Sequence, residues 1–216
     1  MPSELKVNKL SPYTGTTLTL GDSGDTITIP SGATQSITGT LSGAGTIDLS
    51  SATITLNDVM KNTPAFEAHL SAAQTLTDDT ITKIEWDTVV FDTNSAYDNT
   101  TNYRFTVPAG LGGKYFVYAY GQCRGDGTNE EVVDTNMQIR KNGSSITRSS
   151  FGSDSTATVA DRNTFLSTFT VLDLSAGDYL EIYALINSVS GTATFISSFS
   201  GTQIMSRFGA YRLIGV

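Results

Sequence analysis

Cysteine, histidine and tryptophan each occur once among 216 residues, and proline occurs five times. One cysteine excludes an intramolecular disulfide framework and a cysteine-based zinc site. Charge is scarce too. Asp, Glu, Lys and Arg make up 16% of the chain, against roughly 25% in an average soluble domain. A coiled coil or long-helix protein would be rich in Glu, Lys, Ala and Leu, and this chain is not. Thirteen basic residues against 21 acidic ones leave a net charge of −8. With a pI near 4.5, there is no basic footprint for nucleic acid. No apolar run approaches the roughly 20 residues needed to cross a bilayer, so no membrane insertion is expected. Residues 1–10 contain neither the apolar stretch nor the small-residue cleavage site of a signal peptide, which places synthesis and folding in a cytoplasm.

What is abundant is glycine, at 20 residues, with threonine and serine, while hydrophobic residues still reach 38%. These are unevenly spread. From Thr14 to Ala65 there is no aromatic residue, and Thr, Ser and Gly make up most of the stretch. Short pieces alternate threonine with leucine or isoleucine: Thr17-Leu18-Thr19-Leu20, Thr26-Ile27-Thr28-Ile29, Thr46-Ile47-Asp48-Leu49 and Thr53-Ile54-Thr55-Leu56. That period of two is the signature of a strand with one apolar face, and glycine-rich turns separate the pieces. A narrow ribbon without aromatics buries too little surface to close a core alone. Three copies wound about an axis would put the Leu and Ile rows inside and the Thr rows outside. Residues 14–57 are therefore expected to form a trimeric β-shaft, preceded by a segment at 1–13 and followed by a hinge at 58–64 that ends on Pro64.

From Ala65 onward lie all ten phenylalanines, the tryptophan and eight of the nine tyrosines. Ten strands are predicted: Ala65–Leu70, Thr82–Phe91, Tyr103–Val107, Lys114–Arg124, Val133–Lys141, Ser145–Phe151, Thr164–Leu174, Tyr179–Asn187, Thr192–Phe199 and Met205–Ile214. Turn chemistry separates them, most clearly at Asn142-Gly143. About ten strands and no convincing helix in about 150 residues predict an all-β sandwich or jelly roll over 65–216. In the fourth strand Tyr115, Val117 and Ala119 share one face, and Phe116, Tyr118 and Tyr120 the other. A strand apolar on both faces belongs inside a sandwich or at a subunit interface.

The order of residues in this half includes Ala65-Phe66-Glu67-Ala68, Ile84-x-Trp86-x-x-Val89-x-Phe91-Asp92-Thr93-Asn94 and Tyr103-x-Phe105-x-Val107-Pro108-Ala109-Gly110. It continues with Gly113-Lys114-Tyr115-Phe116-Val117-Tyr118 and Gly177-Asp178-Tyr179-Leu180, and closes on Phe208-x-Ala210-Tyr211-Arg212-Leu213-Ile214. This series resembles the globular heads of the first complement component and the tumour-necrosis-factor-like superfamily. The resemblance implies a ten-stranded jelly-roll knob that trimerises around an aromatic-rich axis. The first 40 residues resemble fibre proteins of tailed phages of marine cyanobacteria and similar hosts. That resemblance implies a virion protein whose N-terminal segment attaches to other virion proteins, whose shaft is a homotrimer, and whose knob meets a host surface glycan or protein. Lysis would release such a protein without a signal peptide, and its lack of disulfides suits assembly in a reducing cytoplasm.

Chemistry has few candidates. His69 and Cys123 stand in no Ser-His-Asp order and no metal-ligand spacing. His69 reads as a strand residue and Cys123 as a small buried hydrophobe, so no catalytic residue and no cofactor are expected. Asp126, Glu130, Glu131 and Asp134 cluster around a turn. They read as a solvated acidic loop, or alternatively as a calcium site built from oxygen ligands. Asp78-Asp79 is a second acidic pair. Arg124-Gly125-Asp126 spells a cell-adhesion tripeptide, read here as a chance match. The polar loops Tyr97–Asn102, Gly125–Asp134 and Gly152–Asn163 are the expected receptor-contact regions, since loops on rigid β-scaffolds carry function. The expectation is a non-enzymatic adhesion fibre. A capsid decoration or head fibre is the alternative, and a polysaccharide depolymerase a distant third.

Overall fold

The computed structural model describes residues 10–18, 61–126, 132–152, 163–188, 192–199 and 203–214, with isolated positions between 26 and 38. The chain divides into two compact units, Met1–Thr53 and Ile54–Val216. In the first, residues 10–18 have no regular secondary structure, and Leu10, Tyr13 and Leu18 are exposed. The remainder of the expected attachment segment and shaft lies outside the described residues, apart from the isolated positions. Of the hinge, Lys61 and Asn62 form a turn ahead of a cis Thr63–Pro64 peptide.

The described part of the second unit is built of strands. In chain order they are β1 (Ala65–His69), β2 (Gln74–Leu76), β3 (Thr82–Lys83), β4 (Thr88–Asp92), β5 (Tyr97–Asp98) and β6 (Arg104–Thr106). Four long strands and a fifth follow: β7 (Gly113–Asp126), β8 (Val132–Lys141), β9 (Ser144–Gly152), β10 (Asn163–Leu174) and β11 (Tyr179–Ser188). The last four are β12 (Thr192–Ile196), β13 (Ser198–Phe199), β14 (Gln203–Ile204) and β15 (Arg207–Arg212).

Pairing is antiparallel throughout and nested. β1 pairs with β15, β6 with β11, β7 with β10, and β8 with β9. First with last, working inward to a central hairpin, is the connectivity of a jelly roll. That hairpin turns on Asn142 (φ 51) and Gly143 (φ 80), the two consecutive positive-φ positions that favour Asn-Gly. The nested pairs fall alternately into two sheets. One holds seven strands in the order β2-β12-β7-β15-β1-β4, with β10 along the other side of β7. The second holds six, in the order β5-β6-β11-β8-β9, with β3 also on β11.

The core lies between the sheets and follows the strand alternation. Tyr115, Val117, Ala119 and Cys123 of β7 face inward, opposite Leu180, Ile182, Ala184 and Ile186 of β11, and all are essentially inaccessible. Phe66 stacks on Tyr97 (4.7 Å, 8°) and Phe105 (4.9 Å, 10°) and meets Phe208 edge-on. Each such side chain contributes about 1.5–3 kcal/mol relative to exposure. At Gly121 a Cβ would lie 2.1 Å from the Phe195 ring, so the absent side chain is what seats that ring.

The single strand predicted over Thr82–Phe91 is instead two. β3 belongs to the six-stranded sheet and β4 to the seven-stranded one, and residues 84–87 cross the core between them. Ile84 and Trp86 are wholly buried on this crossing. Ile84 N still donates to Ile182 O (2.9 Å), and beyond it side chains take over from the ladder: Glu85 N donates to Gln74 Oε1 (2.9 Å), Tyr97 Oη to Trp86 O (3.0 Å) and Asn99 Nδ2 to Asp87 O (2.7 Å). Thr192–Phe199 likewise divides into β12 and β13. The very short β2, β5 and β14 add to the ten predicted strands.

Candidate functional site

The outer face of the seven-stranded sheet carries aromatic side chains where a solvated sheet would carry polar ones. Side chains alternate across a strand, so with Tyr115 and Val117 inward, Phe116, Tyr118 and Tyr120 of β7 point out. Registry places Phe116 between Val171 of β10 and Tyr211 of β15, and Tyr118 between Phe169 and Gly209. Tyr120 stands between Ser167 and Arg207, and Phe165 opposite Gln122. Phe116 contacts Phe169 (6.3 Å, 29°) and Tyr211 (5.4 Å, 39°), and Tyr120 contacts Phe165 (5.9 Å). Phe169 is 67% exposed, Phe165 55% and Val171 51%. On β4, Phe91 extends the same face from its place opposite Glu67, at 45% exposure. Contiguous apolar surface of this kind marks an interaction site rather than the ordinary scatter of exposed hydrophobics.

One ionic group sits within this face. Glu67 Oε2 accepts from Tyr118 Oη at 2.6 Å, and Glu67 Oε1 is ion-paired with Arg207. Burial, reinforced by the Glu67 hydrogen bond, raises the Tyr118 phenol well above its ordinary range, so it stays a donor. Tyr118 reaches Glu67 across β15 only because residue 209 is glycine: a Cβ there would lie 2.4 Å from Tyr118 Oη. Arg207 and Glu67 thus neutralise each other, with Tyr118 bonded to the pair, and leave the surrounding rings as the contact surface. Nothing in this arrangement is set to do covalent chemistry. It can bind another apolar surface.

The residues singled out from sequence lie elsewhere. Asp134 is exposed on β8. Asp126 ends β7, and its side chain, with Glu130 and Glu131, lies outside the described residues. Among the described residues no three of His, Cys, Asp or Glu are grouped to hold a metal ion. His69 sits on β1 with Nδ1 bonded to Leu70 O at 2.9 Å. Cys123 is buried, and burial pushes its thiol up to about 11, although Thr135 Oγ1 donates to Sγ at 3.2 Å. Arg124-Gly125-Asp126 lies within β7, paired with β10 and β12, not at the tip of a loop. Asp78 accepts from Ser188 N (2.8 Å) and Oγ (3.1 Å), a structural role.

Of the three predicted contact loops, only the first is described whole. There Asp98 accepts from Thr101 N (2.9 Å), Thr100 N (3.0 Å) and Asn102 Nδ2 (2.7 Å). These bonds hold its carboxyl far below the usual carboxylate range. The loop is rigidly capped, and its aspartate has no acceptor capacity left to offer. A shallow cleft of about 370 Å³ adjoins it, lined by Asn94, Ser95, Tyr97 and Pro108. Parts of the other two loops, 127–131 and 153–162, lie outside the described residues.

No protein-family model matches the chain, and no curated protein matches its sequence. Several solved structures overlay on it. The Eiger TNF of S. frugiperda is 16% identical, covers 70% of this chain and 93% of its own, and gives a TM-score of 0.49. Murine APRIL is 14% identical over 69% of this chain and 98% of its own, at 0.48. The globular domain of zebrafish complement 1qA is 12% identical over 71% and 98%, at 0.44. The jelly-roll assignment rests on the nested strand pairing itself, and these structures are what the domain is similar to.

Proposed function

We propose that this chain is a homotrimeric, non-enzymatic virion fibre whose knob adheres to a host cell surface. The supporting observation is the aromatic outer face of β7, β10 and β15. A lone domain would leave Phe165, Phe169, Val171 and Tyr211 in water, at a cost of about 25 cal/mol for each Å² of apolar surface left uncovered. Two further copies of the chain cover it, and the same association gives the Thr-Leu repeats of residues 14–57 partners for their apolar rows. In this arrangement residues 1–13 attach to the particle and the knob faces outward. Three knobs per fibre multiply individually weak contacts into firm adhesion.

Sedimentation equilibrium on the full chain tests the assembly: a mass three times 22.9 kDa is expected, and a monomer at micromolar concentration overturns it. The role is tested by adding purified chain to host cells before infection. Adhesion predicts adsorption to the cells and fewer infected cells. Gold-labelled antibody on particles then separates a tail location from a capsid one.

A further inference from the structure

The outer face of the six-stranded sheet is built differently, and it carries a concentration of guanidinium groups unusual for so acidic a chain. Arg104, Arg140 and Arg148 project from it, with Lys83 and Lys141 at its margins: five of the thirteen basic residues. Arg140 Cζ lies over the Tyr183 ring at 4.1 Å, and Lys83 Nζ approaches the same ring at 5.8 Å. Arg104 lies over Tyr179 at 4.4 Å. Along β8 a ladder of planar groups continues from Arg140. Its Nε and Nη2 donate to Gln138 Oε1 (3.1 Å each), and Gln138 Nε2 donates to Asn136 Oδ1 (3.1 Å).

The neighbouring carboxylates are already engaged. Glu181 pairs with Lys83 (2.5 Å), and Asp178 with Lys141 (2.8 Å). Asp98, opposite Arg104, is saturated by its own loop. Asp134 lies four residues from Gln138 on β8, about 13 Å along the strand. Glu181 stands opposite Arg140 in register but gives its Oε1 to Lys83, and among the described residues Arg104, Arg140 and Arg148 form no ion pair with a carboxylate. Arg140 spends Nε and Nη2 on Gln138 Oε1 and keeps Nη1 for a further acceptor, while Arg104, stacked on Tyr179, offers an in-plane N–H edge that matches a planar carboxylate. Strand spacing sets the array. Arg104 and Arg140 flank β11, so their backbones are about 10 Å apart, and Arg148 on β9, opposite Gln138, is about 8 Å from Arg140.

We propose that this face binds a carboxylated polysaccharide, a polyuronate, whose successive carboxylates meet Arg104, Arg140 and Arg148. The proposal deepens the adhesion reading and rests on it. A nucleic acid fits less well: base stacking needs open aromatic faces, and the tyrosine rings here are covered by cations. A protein partner would want an apolar anchor at the centre of the patch, where this face has buried amides. The site stands on the opposite sheet from the aromatic face, so trimerisation leaves it open and repeats it three times.

The test uses the full chain with sodium alginate as the probe, in affinity electrophoresis at 0.15 M salt (about an 8 Å screening length). Alginate in the gel should retard the chain, and neutral dextran should not. The Arg140→Gln, Arg148→Gln double variant should bind alginate at least tenfold more weakly. Arg124→Gln, which removes an exposed charge from the other sheet, should bind as the parent does. Should the double variant melt lower, Arg148→Gln alone carries the test, because Arg148 is exposed on an edge strand. Retardation by dextran equal to that by alginate overturns the proposal. So does equal weakening by Arg124→Gln, or tighter binding of a thymidine oligonucleotide than of alginate. A chain that adsorbs to cells but ignores alginate overturns this site alone. A chain that binds alginate but fails to adsorb overturns adhesion and leaves the site standing.

Discussion

Outside the seven-stranded sheet, β7, β10 and β15 present Phe116, Tyr118, Phe169 and Tyr211. Outside the six-stranded sheet, β8, β9 and β11 present Gln138, Arg140, Arg148 and Tyr183. The inner faces of β7, β8, β11 and β15 are alike in character, with aliphatic and aromatic residues packed to near-zero exposure. The fold therefore fixes only one side of each strand. The other side is free to vary, and here its two halves have diverged. In the first, tyrosine and phenylalanine meet each other in stacked and tilted contacts. In the second, tyrosine is a platform for cations and stays wet. The same residue type does opposite work depending on what stands beside it in register.

Breaking the dry face should have the largest effect. Phe169→Glu puts a charge at the most exposed ring of the patch, and the chain should sediment as a monomer. Loss of a central aromatic anchor costs on the order of 2–4 kcal/mol per interface, and burying an unpaired carboxylate adds to that. The equivalent change on the wet face, Arg148→Glu, should leave the assembly intact.

Two glycines sharpen the contrast between inside and outside. Gly121→Ala drives a Cβ into the Phe195 ring within the core and should lower stability by about 1–3 kcal/mol, as overpacking does. A loss on that scale appears as a clear fall in melting temperature. Gly209→Ala meets Tyr118 on the outer face, where the phenol can swing away from Glu67. It should melt nearly as the parent does yet associate more weakly, which a dilution series in the ultracentrifuge would read.

Cys123 reports on the sandwich as a whole. With its thiol raised to about 11 by burial, it should react with a thiol reagent at pH 8 only as fast as the domain opens. Fast labelling under native conditions would show that the two sheets separate readily.

The smallest effect is expected on the wet side. Lys141, Asn142 Nδ2 and Ser175 N hold the Asp178 carboxylate down to about 2 from an ordinary 3.8. A depressed folded pKa stabilises the fold above the ordinary value and ceases to do so as pH falls through about 2. Asp178→Asn lacks that contribution. The melting difference between parent and variant, on the order of 1–3 °C at neutral pH, should vanish between pH 4 and pH 2.

Long alternation was readable from the chain. β1 and β7 through β11 lie within two residues of where Leu, Ile and aromatic periodicity places them, because a strand covered on one face repeats that fact every second residue. The outward parity of Phe116, Tyr118 and Tyr120 was visible in the same way. What joins them to Phe165 and Phe169 was not, since β10 reaches β7 only through a pairing made about 50 residues away. The crossing at 84–87 was illegible for a similar reason. Past Ile84 its backbone partners are the side chains of Gln74, Tyr97 and Asn99, and no local pattern reveals that a strand will leave its sheet when distant side chains replace the ladder. The cation-covered tyrosines leave no local signal, because Arg140 and Tyr183 belong to different strands and meet only when β8 and β11 pair. The acidic cluster drew attention because its members are adjacent in sequence, and of these the described side chains include Asp134 alone.

The pairing of β1 with β15 has a consequence for biosynthesis. Residues 65–69 leave the ribosome some 140 residues before their partner strand does, and at about 5–20 residues per second they wait many seconds for it. Throughout that interval the edge of β1 that faces β15 is unpaired, and Phe66 lacks its edge-on contact with Phe208. Closure by the last strand is then the event that commits the chain, and such non-local pairing is slow. A prematurely terminated product would lack that event altogether. Without β15 it would lack Tyr211 and Arg207 on the aromatic outer face, and under the assembly proposed above it would be left out of the trimer.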